Sequence, residues 1–178
     1  EPERLRGEVI GARYLTTLGV TPIVGRDFTS AEDRTPGIDG IVLLGHALWQ
    51  RRFGGDPTIL GQVIRLSGVP HTVVGILPAG FRGLTGEAET WLPLMTTSAD
   101  DLNQKWSHSY YAVARRKPGI SDEQARSAVT VLGNRIDAAI PDPRGIAKYG
   151  AMALSLQDSR VDPLIRRSAL VLLGAVGF

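Results

Sequence analysis

The chain contains no cysteine. Its absence removes disulfide scaffolds, thiolate–zinc sites and cysteine nucleophiles together. It leaves the compartment open, because cytoplasmic and exported domains alike can do without thiols. Aromatic residues make up only 6% of the sequence, and the three tryptophans, Trp49, Trp91 and Trp106, lie far apart. Neither sign of charge dominates: 20 Lys and Arg stand against 18 Asp and Glu, for a net charge of +2. Basic residues adjoin only in short clusters, at Arg51-Arg52, Arg115-Arg116-Lys117 and Arg166-Arg167. A nucleic-acid footprint needs a clustered basic face, so that class of partner is set aside.

Chemistry-bearing motifs are equally sparse. The three histidines, His46, His71 and His108, have no second histidine or carboxylate at helical spacing, and each reads as a polar surface or capping residue rather than a ligand. There is no G-x-S-x-G elbow to frame a serine nucleophile. The stretch "GGDPTILGQ" could cradle an anion at a helix start, but it lacks the G-K-[ST] ending of a P-loop. "GFRGLTG" reads as a flexible turn, and the acidic residues of "SAEDRTPGID" and "GEAET" as solvated loop carboxylates. No catalytic, cofactor-binding or metal-binding residue is therefore nominated, and the chain is not expected to be an enzyme. The N-terminus, "EPERLRGEVI", has neither an initiating Met nor the apolar core of a signal peptide; it reads as beginning within a longer protein.

What the sequence does have is 43% hydrophobic residues and 21 glycines among 178 residues, enough for one good core or two small lobes. Glu8–Ile10 reads as a short strand. A short helix follows, with Tyr14, Leu15 and Leu18 on one face and Gly19 placed to end it. Ile41–Leu44 is a buried strand leading to a helix that carries Leu48, Trp49 and Phe53 and stops at Gly54-Gly55. Asp56-Pro57 matches an N-cap with proline at the first helical position. Strands Gln62–Leu66 and His71–Leu77 flank the turn "SGVP", and "ETWLPL" adds another. Trp49 and Trp91 fall in apolar patterns and read as core anchors, whereas Trp106 sits in a polar loop and reads as a contact residue.

Beyond about residue 100 the pattern changes. "SYYAVARR" reads as a strand with Tyr111, Val113 and Arg115 on one face. Ser121 and Gln124 form a capping box for a long helix whose stripe is Ala125, Ala128, Val129, Leu132, Ile136 and Ile140, ended by Pro141. "YGAMALSLQD" alternates like a further strand. The fold class expected is α+β in two lobes. The last residues, Ser168–Phe178, are eleven in a row without a charge. A core helix, a partner-binding helix and the first turns of a membrane span all fit, and eleven residues reach about half of the roughly 20 that a span requires.

Taken together, "GARYLTTLGVTPIVGRDFTSAEDR", "IVLLGHALWQRRFGGDPTILGQVIRLSGVPHTVVGILPAGFRG", "TWLPL" and "ARRKPGISDEQARS" resemble the MacB-like periplasmic core domain of bacterial ABC-transporter permeases of the duplicated type. The resemblance rests on a combination that includes Tyr14, Leu18-Gly19-Val20, Gly25-Arg26, Trp49, Arg52 through Pro57, and Val73-Val74-Gly75. It implies a two-lobed extracytoplasmic domain: a mixed α/β (Sabre-like) lobe over 1–98, a strand–helix–strand porter-like unit over 99–160, and at 161–178 the truncated start of a transmembrane helix. It further implies inner-membrane localisation with this region on the periplasmic side, a separate or fused ATPase subunit, a homodimer in the full-length protein, no cofactor, and a non-catalytic role coupling ATP hydrolysis to work outside the membrane. The alternative is a soluble extracytoplasmic binding module or interaction domain without a transport role.

Overall fold

The computed structural model describes residues 3–34, 40–103, 110–141 and 150–156. These fall into two compact units, divided between Arg115 and Arg116. The first contains a six-stranded mixed sheet. Its elements in chain order are β1 (Gly7–Ile10), α1 (Tyr14–Leu18), β2 (Val24–Gly25), β3 (Ile41–Leu44), α2 (His46–Phe53), β4 (Val63–Leu66), β5 (Val69–Ile76), β6 (Thr90–Pro93) and α3 (Ala99–Leu102). The sheet order is β1-β6-β3-β5-β2, with β4 also paired to β5. β1 runs parallel to β6 and β3 parallel to β5, whereas β3–β6, β2–β5 and β4–β5 are antiparallel.

Short-range chemistry explains why the elements stop where they do. Gly19 and Gly54 end α1 and α2 in the left-handed conformation, with φ of 75° and 62°, which glycine adopts without steric cost. The Asp56 side chain accepts a hydrogen bond from the Thr58 amide and caps a single 3₁₀ turn, Pro57–Ile59. The β4–β5 hairpin closes on Ser67 and Gly68, both with positive φ, as a two-residue turn between right-twisted strands requires. β5 therefore begins at Val69, two residues earlier than the sequence suggests. Pro70 is accommodated because β3 pairs with β5 only from Thr72 onward, so no ladder bond is lost to the missing N–H.

β3 is buried on both faces and so feeds two cores. Val42 and Leu44 pack with Leu48 and Trp49 of α2 and with Val73 and Ile76 of β5. Leu43 packs on the opposite face with Leu15 of α1, Phe28, Leu77 and Trp91. Both tryptophans expected to anchor the interior do so. Trp49 donates its indole N–H to the Asp56 carbonyl at 2.9 Å, and Trp91, fully buried, stacks on Phe81 with ring centroids 5.4 Å apart.

The second unit contributes α4 (Asp122–Ala139), which carries the expected capping box between Ser121 and Gln124 and ends at Ile140. Two expected strands are not formed among the described residues. Tyr110–Arg116 and residues 150–155 belong to no ladder. Alternation supplies one face of a strand, but a strand also needs a hydrogen-bonded neighbour, and among the described residues neither segment is paired with one. No described helix is long and apolar enough to cross a membrane. The tail at 161–178, together with Trp106 and His108, lies outside the described residues.

Candidate functional site

β1 delivers the main polar node of the first unit. The Glu8 carboxylate is half-buried and accepts from the Tyr14 hydroxyl at 3.0 Å, the Trp91 indole N–H at 3.0 Å and the Thr85 amide at 2.8 Å. The Tyr14 hydroxyl in turn accepts from the Leu84 amide at 3.0 Å. "GFRGLTG" is thus tied to β1, α1 and β6, which corrects its reading as a flexible turn. The sequence pattern concealed this because the donors come from positions 6 to 83 residues away.

A second node forms in the loop after β2. Glu32 accepts both guanidinium nitrogens of Arg26, at 2.9 and 2.7 Å, and also the amide and hydroxyl of Thr29. The Arg26 hydrogen bonds are the main reason that the Glu32 carboxyl is held down at about 2. Asp27 is shifted the other way, upward, because burial disfavours its charged form. Asp33 accepts from the Ala12 amide at 3.0 Å through Oδ2, while its Oδ1 is buried without a partner. The "SAEDR" carboxylates are therefore structural, rather than merely solvated.

Between the β1–α1 turn and the loop at 30–34 lies an open groove of about 570 Å³, contained within the first unit. Gly11, Ala12 and Asp33 line it beside Arg13 and Arg34, and Leu94, Tyr111 and Val113 also contribute to the lining. Tyr111 is 90% exposed. Arg115 donates to the Thr17 carbonyl at 2.6 Å and so secures the segment that carries Tyr111.

The remaining residues singled out in the sequence have structural roles. His71 is buried on β5, with Nδ1 3.0 Å from the Val69 carbonyl. This corrects its reading as a surface or capping residue: inward alternation on β5 takes it out of solvent. His46 opens α2 and meets Trp49 edge-on at 5.6 Å. At "GGDPTILGQ" the position an anion would take is filled by the chain's own Asp56 carboxylate, whose pKa is lowered by the hydrogen bond from the Thr58 amide. Among the described residues, no group of three or more His, Asp or Glu side chains is placed to hold a metal ion.

The fold has solved counterparts. One is the periplasmic region of MacB from Actinobacillus actinomycetemcomitans, at a TM-score of 0.56 and 14% identity over 90% of this chain and 63% of that one. Another is the extracellular domain of the noncanonic ABC-type transporter YknZ from Gram-positive bacteria, at 0.53 and 16% over 82% of this chain and 68% of that one. At these identities the likeness is one of fold. Comparison with curated proteins gave no match. The model of the MacB-like periplasmic core domain matches residues 2–132. With nearly three quarters of its length inside that match, and a mixed sheet of the same kind as those solved domains, the chain belongs to the MacB-like periplasmic core domain family.

Proposed function

We propose that the chain is the extracytoplasmic core of an ABC-transporter permease, a non-catalytic element that transmits ATP-driven movement from the cytoplasmic side to a substrate or partner outside. The observation that carries this reading is the family match over residues 2–132, supported by folds shared with external domains of two transporters. In this reading residues 1–98 form the mixed α/β lobe, 99–160 the porter-like unit, and 161–178 enter the inner membrane. Arg166-Arg167 lie at the headgroups, and the uncharged run from Ser168 forms the first turns of the span. The full-length permease works as a homodimer with an ATPase subunit. The chain's own work is mechanical: a sheet packed on both faces moves as one body, because close-packed interiors transmit displacement rather than absorb it.

The absence of cysteine makes this directly measurable. A single Val63→Cys substitution on exposed β4 gives this chain one labelling site, with any cysteine elsewhere in the permease or its ATPase replaced first. In the full-length permease assembled with its ATPase, the label-to-label distance across the homodimer is expected to change between the nucleotide-free and ATP-trapped states. Identical distance distributions in the two states would refute the mechanical reading.

A further inference from the structure

β1 and β6 lie side by side and run the same way, with Gly7 against Thr90 and Ile10 against Pro93. In chain order they are the first and last described strands of the first unit. The chain therefore enters this strand pair at one end, before Gly7, and leaves it at the other, after Pro93. A force that draws entry and exit apart runs along the strands and loads all four paired positions at once. A force that draws the two N-terminal ends apart opens those positions one after another. Bonds loaded together share the force and must fail together; bonds loaded in turn each meet the whole of it.

Side chains reinforce the pair at its middle. The Glu8 carboxylate spans it, accepting from the Trp91 indole on β6 at 3.0 Å and from the Thr85 amide in the loop before β6 at 2.8 Å. Hydrogen bonds to an ionised carboxylate are among the stronger ones. Gly83 lies so close to the same carboxylate that a Cβ there would overlap its oxygens, so the loop closes directly over it. Two residues on, Ile10 is 4% exposed and shares a core with the fully buried Trp91. Sliding β1 toward its own N-terminus must break the ladder, part Glu8 from its donors and draw Ile10 out of that core in one step. The ion pairs nearer the entry, Arg51 with Glu3 and Glu89 and Arg6 with Glu87, are partly exposed. Such pairs contribute little each, which leaves the resistance at Glu8 and Ile10.

We propose that β1 and β6 form a mechanical clamp. The first unit resists force along β1 far better than force across it, and Glu8 is the residue that locks it. The clamp follows from strand order and side chains alone. That a permease loads it rests on the proposed function, and pulling on the chain without an ATPase tests the clamp apart from that reading.

The test is single-molecule pulling on the 178-residue chain, whose lack of cysteine allows handles at engineered cysteine pairs. Arg4→Cys with Ala99→Cys shears the two strands, and Arg4→Cys with Glu87→Cys peels them; all three positions are exposed. At one pulling speed the shearing pair should rupture at a severalfold higher force. At fixed force, Glu8→Gln should raise the unfolding rate in shear about tenfold, the scale of one charge-assisted hydrogen bond, and by less in peeling. Arg6→Ala, which removes only a surface ion pair, should leave the rate in shear unchanged. Equal rupture forces in the two geometries, or a stronger peeling geometry, would overturn the clamp. An equal rise from Glu8→Gln in both geometries would show that Glu8 stabilises the fold without locking it. A rise as large from Arg6→Ala would overturn the assignment of the resistance to Glu8 and Ile10. Circular dichroism of each variant establishes that the pulled molecules start folded.

Discussion

The two units of this chain contain equally well-formed local structure and very different interiors. In the first, helices cover both faces of the sheet, and Leu43, Val42, Leu44, Val73, Ile76 and Trp91 have no measurable exposure. In the second, α4 has a complete capping box and a regular apolar stripe, yet Leu132 on that stripe is 54% exposed and the buried residue of the helix is Gly133, against Ala151. Caps and periodicity are enough to define a helix and its ends. Burial requires something to lie against the stripe, and that is a separate fact about the fold.

The sharpest way to break this contrast is to make the same substitution in both places. Leu43→Ala should cost about 3 kcal/mol by chemical denaturation, because it opens a cavity in a sheet packed on both faces. Leu132→Ala should stay within about 0.5 kcal/mol. Comparable losses would show that the stripe of α4 is covered in solution and that the contrast is false.

Glu8→Gln tests whether the first unit also depends on its polar node. The neutral amide keeps the shape but turns an acceptor of three hydrogen bonds into a weaker one, and a loss of about 1–2 kcal/mol is expected. Faster amide exchange at Leu84 and Thr85, measured by hydrogen–deuterium exchange, should accompany it. Unchanged exchange there would mean that the loop is held by something other than Glu8.

The Arg26–Glu32 pair gives a pH signature. The Glu32 carboxyl, lowered chiefly by its hydrogen bonds with Arg26, sits at about 2 against an ordinary value of 4.5. Its contribution is therefore fully present above about pH 4.5 and is lost as the pH falls toward about 2. Arg26 is half-exposed, so solvent screening limits the effect to about 1 kcal/mol. Asp27, shifted upward, works in the opposite sense and partly offsets it. Denaturation midpoints at pH 6 and pH 3 should differ less for Glu32→Gln than for the parent chain.

The smallest effect is the most informative about the second unit. Gly133→Ala should stabilise α4 by about 1 kcal/mol on helix propensity alone. A Cβ there, however, would meet the Ala151 amide nitrogen at 2.6 Å and its methyl at 2.7 Å, so the approach of residues 150–153 must be lost or displaced. A net loss in thermal stability is expected if that approach persists in solution. A net gain would show that the second unit has no packed contact to lose.

Much of this architecture was legible in the residues. Gly19, Gly54, Asp56-Pro57 and the Ser121–Gln124 box marked their helix ends, and Ile41–Leu44 emerged as a buried strand with the expected bounds. The polar node at Glu8, the burial of His71 and the groove were not legible, since each gathers residues from distant positions. Over their described residues, "SYYAVARR" and "YGAMALSLQD" form no ladder, because alternation records a preference for one face and is silent on the neighbour.

By itself, then, the sequence determined where α1, α2 and α4 end, the burial of Trp49 and Trp91, the mixed α/β character and the family, but not the short helix α3. These follow from interactions within a few residues or from a motif read along the chain. Tertiary structure alone decided the strand order, with β1 parallel to β6 across more than 80 residues. It also decided the burial of the Glu8 carboxylate among Tyr14, Thr85 and Trp91, and the meeting of Arg13, Arg34 and Tyr111 in one groove. The physical reason is that caps and turns are satisfied locally, whereas ladders, buried carboxylates and grooves are completed only by partners that folding brings from elsewhere.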